Sequence, residues 1–130
     1  MLHIIRRVSS FHLSVLLLSL LSCQAIALDN DTEQPLNIVS KEQIADFNSN
    51  KAIFLENVVA TQGTIEVHSD KAEITRDSND QLEEIVAYGK PATYKQLQEN
   101  GKIIHSQSSI IHYLPKKNLL ILIGRATIWQ

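Results

Sequence analysis

Three histidines are the side chains after residue 27 that are most able to hold a metal ion. They are His68, His105 and His112, and their spacing matches no metal-binding motif. His105 and His112 could lie near each other, but a histidine pair without a third ligand is far more often structural. We therefore predict no metal site.

Acid–base and nucleophilic chemistry are equally poorly supported. Glu83 and Glu84 are adjacent, so a strand would place them on opposite faces, where they cannot act as a catalytic pair. The serines at 108–109 lack the Gly-x-Ser-x-Gly pattern of a nucleophile elbow. Gly63 and Gly89 do not have the spacing of a phosphate-binding loop. We predict no catalytic site and no cofactor.

The charge of the chain argues against nucleic acid as a partner. The net charge is −2, and because the first 27 residues contain two arginines and no acid, the remainder carries −4. Nucleic-acid binding needs a basic face that neutralises phosphates. Aromatic residues make up only 5% of the chain, so aliphatic side chains must provide most of the packing.

The N-terminal segment has the three parts of an export signal. The basic part contains arginines at positions 6 and 7, and the apolar part covers residues 11–21. The small residues Ala-Ile-Ala at 25–27 form the cleavage-site part. The apolar part is shorter than the roughly 20 residues of a membrane-spanning helix. This pattern predicts a signal peptide that is cleaved after Ala27.

Two alternatives for this segment stay open. The segment could be retained as an N-terminal anchor, or Cys23 could be lipidated, since Leu-Leu-Ser-Cys at 20–23 is a loose lipoprotein motif. On the main interpretation, residues 28–130 form one exported domain without cysteine, which burial and backbone pairing must stabilise.

The mature part is predicted to be all-β. Apolar and polar residues alternate with period two at 36–40, 64–68 and 71–75, which indicates strands with one buried face. Residues 82–86 have some helical propensity, but their length between turn signals favours a strand. Four polar segments are predicted to be turns: 48–51, 77–80, 100–101 and 115–118.

A pattern recurs three times in this region. An apolar-x-Ser segment occurs at 38–40, 67–69 and 104–106, and an aliphatic residue follows each: Ile44, Ile74 and Ile110. Each repeat then ends in what we predict to be a closing strand: 56–59, 89–92 and 124–127. Such repetition indicates a stacked, elongated architecture with a long surface, which suits binding and carrying better than catalysis.

The segment Leu-Leu-Ile-Leu-Ile at 119–123 is apolar at every position. A continuous apolar run favours a buried central strand with layers on both sides. Two alternatives stay open: a strand that lines an apolar groove, and an exposed edge strand that awaits a partner.

Several segments of residues 28–130 closely resemble the OstA-like family of lipopolysaccharide-transport (Lpt) proteins. They are DTEQPLNI at 31–38, NVVATQGTI at 57–65 and YGKPAT at 88–93, with Asp-Lys at 70–71 and Thr-Arg at 75–76. The resemblance implies a twisted, open β-jellyroll, also called a β-taco, whose antiparallel strands form an elongated trough. Family members usually continue with further strands beyond the position of Gln130, so the chain is expected to lack those last strands.

The resemblance also implies a function. The trough would bind lipopolysaccharide through lipid A and carry it across the periplasm from the inner to the outer membrane, with no reaction catalysed. The N-terminal edge would meet the inner-membrane Lpt component, the C-terminal edge the outer-membrane component, and copies would associate head to tail. The alternative is an exported assembly scaffold whose core is filled by its own side chains.

The resemblance further implies which residues contact lipid. Arg76 matches a basic position, where it could meet a lipid phosphate or cap a turn. Pro115 departs from an apolar family position and is not assigned a lipid contact. For the residues that match the trough wall, ordinary sheet packing is the alternative; these wall positions are Thr32, Leu36, Ile38, Tyr94 and Tyr113.

Overall fold

The computed structural model describes residues 28–130. The predicted signal peptide, its cleavage site and Cys23 therefore lie outside the described residues. Within them the chain forms eight strands and two short 3₁₀ helices, which confirms the all-β prediction. In chain order the elements are η1 (Leu28–Glu33), β1 (Leu36–Val39), β2 (Glu42–Asp46), β3 (Lys51–Gln62), β4 (Ile65–Arg76), β5 (Leu82–Leu97), β6 (Ile103–Leu114), η2 (Pro115–Lys117), β7 (Leu119–Ile123) and β8 (Thr127–Trp129).

All the strands belong to one antiparallel sheet. The central order is β3-β4-β5-β6, and each end of this order carries two short strands. β1 and β2 both pair with β3, whereas β7 and β8 both pair with β6. The predicted turns separate the strands as expected; in one of them the amide of Asp77 donates to the carbonyl of Gln81 at 2.8 Å.

Register breaks cross the whole sheet at one level, which we call the crease. They fall at 56–57 in β3, 69–70 in β4, 89–91 in β5 and 109 in β6, and the β1–β2 and β7–β8 junctions continue the line at both edges. The crease divides the sheet into two halves, and strands β3 to β6 run through both. We call them the β1–β8 half and the β2–β7 half, after the short strands at their edges.

The crease corrects one detail of the sequence analysis. Segments 56–59, 89–92 and 124–127 were predicted to be closing strands, but each contains a break. Glu56 and Asn57 adopt positive φ angles inside β3. A bulge of this kind adds residues on one strand without partners and bends the sheet. The repeat in the sequence therefore marks where successive strands bend.

The bend is sharp enough to bring the two halves face to face. Tyr113 pairs with Ile85 in the ladder between β5 and β6, and Tyr94 lies nine residues further along β5. In a flat sheet this offset would separate Tyr94 and Tyr113 by about 30 Å. Their ring centroids are instead 6.2 Å apart, so the inner faces of the two halves pack against each other.

The core fills the space between these inner faces. Several buried residues near the crease have small side chains, among them Ala92 and Ser108, which lets the two halves approach closely. The hydroxyls of Ser69 and Ser106, from two of the repeated apolar-x-Ser segments, are buried there without a hydrogen-bond partner. The buried apolar residues are Val58, Ala60, Ile65, Val67, Ala72, Ile74, Ile85, Ala87, Ala92, Tyr94, Ile111 and Tyr113.

The apolar strand β7 is an edge strand in the described part of the chain. It pairs with β6 alone; Leu120 and Leu122 pack against the core, while Leu119, Ile121 and Ile123 remain 39–47% exposed. The favoured interpretation, a buried central strand, is therefore wrong. Among the described residues the alternative of an exposed edge strand is confirmed, and the alternative in which the strand lines an apolar groove stays a prediction.

Between residues 28 and 130, the structure contains no helix long and apolar enough to span a membrane.

Candidate functional site

The two halves of the sheet meet around an open pocket of about 490 Å³. We call it the mouth pocket, because it lies where the strand ends of both halves come together opposite the crease. One wall comes from η1, β1 and the end of β3: Thr32, Glu33, Gln34, Leu36 and Gln62. The other wall comes from the end of β4, the start of β5 with the residue before it, and η2: Arg76, Gln81, Leu82, Pro115 and Lys116.

Asp31 fastens η1 to the sheet beside this pocket. The carboxylate is 5% exposed and accepts hydrogen bonds from the Thr64 amide at 2.8 Å and the Thr64 hydroxyl at 2.6 Å. It also accepts a hydrogen bond from the Gln96 amide group at 3.0 Å. A buried carboxylate is tolerated when several donors satisfy it. Asp31 therefore holds the N-terminal wall in place.

Gln62 connects the two halves of the sheet. Its Nε2 donates to the carbonyls of Thr32 at 3.3 Å and Gln34 at 3.1 Å, and its Oε1 accepts from the Tyr113 hydroxyl at 3.0 Å. Tyr113 belongs to the β2–β7 half, whereas Gln62 belongs to the β1–β8 half. This one amide consequently ties η1 and both halves of the sheet together at the floor of the mouth pocket.

Tyr94 and Tyr113 form an aromatic pair behind Gln62. Both are 5% exposed, and the Tyr94 hydroxyl donates to Gln96 Oε1 at 2.8 Å. Burial, together with the negative charge of Asp31, raises the pKa of Tyr113 to about 12. Burial also raises the pKa of Tyr94, with contributions from Tyr113 and Asp31. Both phenols therefore stay neutral in the folded protein well into the alkaline range.

This tyrosine pair predicts a loss of stability at high pH. The unfolded chain releases phenol protons near pH 10, whereas the folded chain retains them, so the free energy of unfolding falls as the pH rises above about 10. Each tyrosine contributes a slope of about 1.4 kcal/mol per pH unit in that window. Urea unfolding between pH 9 and 11.5 measures this slope. We expect Tyr113→Phe and Tyr94→Phe each to reduce it, and an unchanged slope in both variants would contradict the assignment.

Arg76 lies at the rim of the mouth pocket and also closes a turn. Its Nη1 donates to the carbonyl of Asp80 at 3.2 Å, and its Nε lies 3.9 Å from the Asp80 carboxylate. The turn-capping interpretation is thus the one the contacts support. The Arg76 side chain remains 42% exposed, and its contacts with Asp80 use only part of the guanidinium donor set.

The residues predicted from the sequence converge on this region. Thr32, Leu36 and Arg76 line the mouth pocket, and Tyr113 and Tyr94 lie directly behind it. Ile38 is on the same face of β1 as Leu36 and packs against the core. Their contact with lipid stays a prediction.

Other residues of the site were missed by sequence reasoning. Gln62 stands within the quoted family block at 57–65, but its bridging role depends on the fold. Pro115 was not assigned to the lipid-contacting wall, yet it lines the mouth pocket with Leu82 and Lys116. Proline at the start of η2 has an ordinary structural explanation as well, since the first position of a helix favours it.

The three histidines lie on the outer face of the sheet, each with its own partner. His112 Nδ1 is 2.7 Å from the Glu84 carboxylate, His68 contacts Glu66, and His105 stacks on Trp129 with centroids 5.3 Å apart. His105 and His112 fall on opposite sides of the crease. Among the described residues, no group of three or more His, Cys, Asp or Glu side chains is placed to hold a metal ion.

Comparison with known proteins identifies the family. Residues 37–130 match the family described as LptA/(LptD N-terminal domain) LPS transport protein. The chain is 42% identical over 110 residues to the lipopolysaccharide export system protein LptA of Escherichia coli K12, covering 84% of this chain and 60% of that protein. It is 36% identical over 113 residues to LptA of Haemophilus influenzae, covering 85% of this chain and 66% of that protein.

A solved structure shows the same fold. LptH, described as the LptA-homologous periplasmic component of the lipopolysaccharide transport device of Pseudomonas aeruginosa, superposes with a TM-score of 0.73 and 26% identity. The match covers 78% of this chain and 70% of LptH. The jellyroll-like, unclosed sheet expected from the resemblance is thereby confirmed.

The chain spans about 60% of the length of the E. coli relative. With a family match over most of its length and this degree of identity, the chain belongs to the LptA/LptD N-terminal domain family of lipopolysaccharide transport proteins.

Proposed function

We propose that this chain binds lipopolysaccharide through its lipid A part and carries it across the periplasm from the inner to the outer membrane. It catalyses no reaction in this role. The observation that carries the proposal is the convergence of Thr32, Leu36 and Arg76 on one open mouth of a folded sheet, in a chain of a lipopolysaccharide transport family.

The physical case depends on the cost of exposing acyl chains to water. Each CH₂ removed from water contributes about 0.8 kcal/mol, so a lipid with several long chains needs continuous shelter while it crosses an aqueous space. The inner faces of the two half-sheets are lined by aliphatic and aromatic side chains. Apolar contacts are non-directional, which permits a lipid to slide along them. Arg76 and Lys116 at the rim suit the anionic part of such a lipid.

The sheet edges are the proposed contacts with partners. β1 and β2 at the N-terminal edge would meet the inner-membrane Lpt component, and β7 and β8 would meet the outer-membrane component or another copy of the chain. Edge strands recruit partners by adding a strand to the sheet. A contact between two different edges is heterologous, so head-to-tail self-association would produce short filaments when the rotation between successive copies does not close a ring.

The proposed location of the protein, the periplasm, follows from the signal-like N-terminal sequence. We infer that residues 1–27 direct export and that cleavage after Ala27 releases residues 28–130 into the periplasm. Mass spectrometry of the N-terminus in the purified periplasmic fraction would distinguish Leu28 from an acylated Cys23 or a retained anchor.

Photo-crosslinking to lipopolysaccharide tests the proposed cargo. A photoreactive phenylalanine analogue at Thr32 or Leu36, which line the mouth pocket, is expected to form lipid adducts in living cells. The matched control is Val39, which lies on the same edge as Leu36 but is 68% exposed on the opposite face of β1. Adducts at 32 and 36 but not at 39 would support a lipid carrier.

Two other results would count against the proposal. Equal adducts at all three positions would indicate nonspecific contact with lipid. No adducts from a folded, monodisperse protein would favour the scaffold alternative, in which the core side chains leave no room for cargo.

A further inference from the structure

A second pocket lies on the outer side of the crease. It has a volume of about 370 Å³ and is lined by Gly89, Lys90, Pro91, Gln107, Ser109 and Arg125. We call it the crease pocket. Its position is opposite to the core, because the neighbouring Ala92 and Ser108 point inward and are fully buried, whereas Lys90, Ser109 and Arg125 are exposed.

Two bulges flank Ser109 and form the sides of this pocket. On β5, residues 89–91 lie between the paired positions Tyr88–Ile110 and Ala92–Ser108, so three residues face Ser109 alone. On the other side, residues 124–126 separate β7 from β8 at the same level, and the Ser109 amide donates to the Gly124 carbonyl at 2.9 Å. Each bulge carries one cation at its centre, Lys90 or Arg125.

The glycine that precedes Arg125 is required by this geometry. Gly124 has a φ of +85°, and a Cβ there would lie 2.8 Å from the Ser109 hydroxyl oxygen and 2.9 Å from the Ser109 Cβ. The bulge therefore packs directly against Ser109. Gly-Lys-Pro-Ala at 89–92 and Gly-Arg-Ala-Thr at 124–127 occupy equivalent places in the sequence repeat. The repeat therefore places one cation on each side of Ser109, and both line the crease pocket.

The positive charges of Lys90 and Arg125 are not neutralised by a nearby carboxylate. Neither Lys90 nor Arg125 has a carboxylate partner among the described side chains, and the crease pocket has no acidic residue in its lining. Five other basic side chains lie within 4.0 Å of a carboxylate, namely Lys41, Lys71, Arg76, Lys95 and Lys116. Lys51, Lys102 and Lys117 also lack such a contact among the described residues, but the crease pocket is lined by two basic side chains together. Two neighbouring cations without counter-charge, in a domain of net charge −4, attract an anion from outside the chain.

We propose that the crease pocket binds a phosphate group. The Arg125 guanidinium offers a planar fork of donors and the Lys90 ammonium a point charge, which together suit an anion with several oxygens and more than one negative charge. The Ser109 hydroxyl and the Gln107 amide add neutral donors. The site is independent of the proposed lipid trough, because it lies on the other side of the sheet and shares no lining residue with the mouth pocket.

Titration of the whole, ¹⁵N-labelled chain with inorganic phosphate at constant ionic strength tests the site. We expect the Arg125 Nε–H signal to shift in a saturable manner. Lys90→Gln and Arg125→Gln are each expected to weaken phosphate binding about tenfold, the effect of losing one charge-assisted hydrogen bond. Lys102→Gln, an exposed cation in the turn between β5 and β6, is the matched control and should bind like the unaltered chain.

A second experiment distinguishes a phospholipid headgroup from a soluble phosphate as the source of the phosphate group. Flotation with phosphatidylglycerol vesicles, against phosphatidylcholine vesicles, reports binding of a phosphorylated lipid headgroup with a net charge. Charge-dependent vesicle binding that the Lys90 and Arg125 variants lose would support a headgroup, and saturable binding of inorganic phosphate alone would support a soluble phosphate.

Three outcomes would overturn the proposal. They are unaltered binding by both variants, an equal loss in the Lys102 variant, and absence of binding in both experiments. All the substituted side chains are exposed, so thermal melts are expected to show folded variants. Because the test uses no lipopolysaccharide, its failure would leave the trough function unaffected.

Discussion

Replacement of Ile38 by aspartate is expected to weaken the proposed binding of lipid A by about a hundredfold or more. Ile38 lies on the inner face of β1, opposite the buried Ala60 of β3. The substitution removes several apolar groups, at about 0.8 kcal/mol for each CH₂, and places a carboxylate where desolvation would be costly. Since every 1.4 kcal/mol changes affinity tenfold, these two effects readily exceed a factor of one hundred.

Val39→Asp is the matched control for this prediction. Val39 is the next residue of the same strand, points to the opposite face and is 68% exposed, so a charge there should leave lipid binding nearly unchanged. Binding of fluorescently labelled lipopolysaccharide gives the affinity, and a urea titration establishes that each variant is folded. Ile38→Ala, which adds no charge, should fall between the two. Equal affinities for the Ile38 and Val39 variants would show that the inner face does not hold the lipid.

Replacement of Gly63 by alanine is expected to destabilise the fold by about 3 kcal/mol. Gly63 has a φ of +58°, where an L-residue pays roughly 1 to 2 kcal/mol. A Cβ at this position would also overlap Asp31 Oδ1 and lie 3.0 Å from the Asp31 Cα. The carboxylate would have to move and lose its hydrogen bonds to Thr64, at roughly 1 kcal/mol or more for each bond.

Gly101→Ala separates the two contributions. Gly101 also has a positive φ, +79°, but an added Cβ there would meet no atom within 4 Å. We expect this variant to show only the backbone cost, about 1 kcal/mol. Urea unfolding of both variants measures the difference. If the Gly63 variant were no less stable than the Gly101 variant, Asp31 would not be the group that fastens η1.

Loss of the Asp31 contacts should also change the mouth pocket. Thr32 and Gln34 in the N-terminal wall depend on η1 for their position, and Gln62 binds their carbonyls. We therefore expect the Gly63 variant to show faster hydrogen exchange at the Thr64 amide than the Gly101 variant does. This readout reports the local release of η1 separately from global stability.

The strands and turns were predictable because their signals are local. Period-two alternation at 36–40 correctly indicated that Leu36 and Ile38 share one face, and Asn-Gly at 100–101 marked a real hairpin turn. Periodicity could not reveal the crease. The breaks at 56–57 and 89–91 contain Asn57, Gly89 and Pro91, residue types that are uncommon inside strands. Only pairing with the neighbouring strands shows that residues there lack partners and that the breaks lie at one level.

The edge position of β7 was likewise beyond local reasoning. An apolar run at 119–123 is compatible with a buried strand and with an exposed edge, because the sequence of a strand does not specify how many neighbours it has. Pairing of β8 with the other half of β6 leaves β7 without a second neighbour in the described chain. The exposure of Ile121 is a consequence of topology.

By itself, the sequence determined the all-β class, the inner and outer faces of its strands and, through its resemblance, the family. These are properties of side-chain direction and local composition, which act over a few residues. Only the tertiary structure decided that Tyr94 meets Tyr113, that Gln62 joins the two halves of the sheet, and that Lys90 and Arg125 flank Ser109. The physical reason is the crease, since folding the sheet on itself creates contacts between residues that are far apart along the strands.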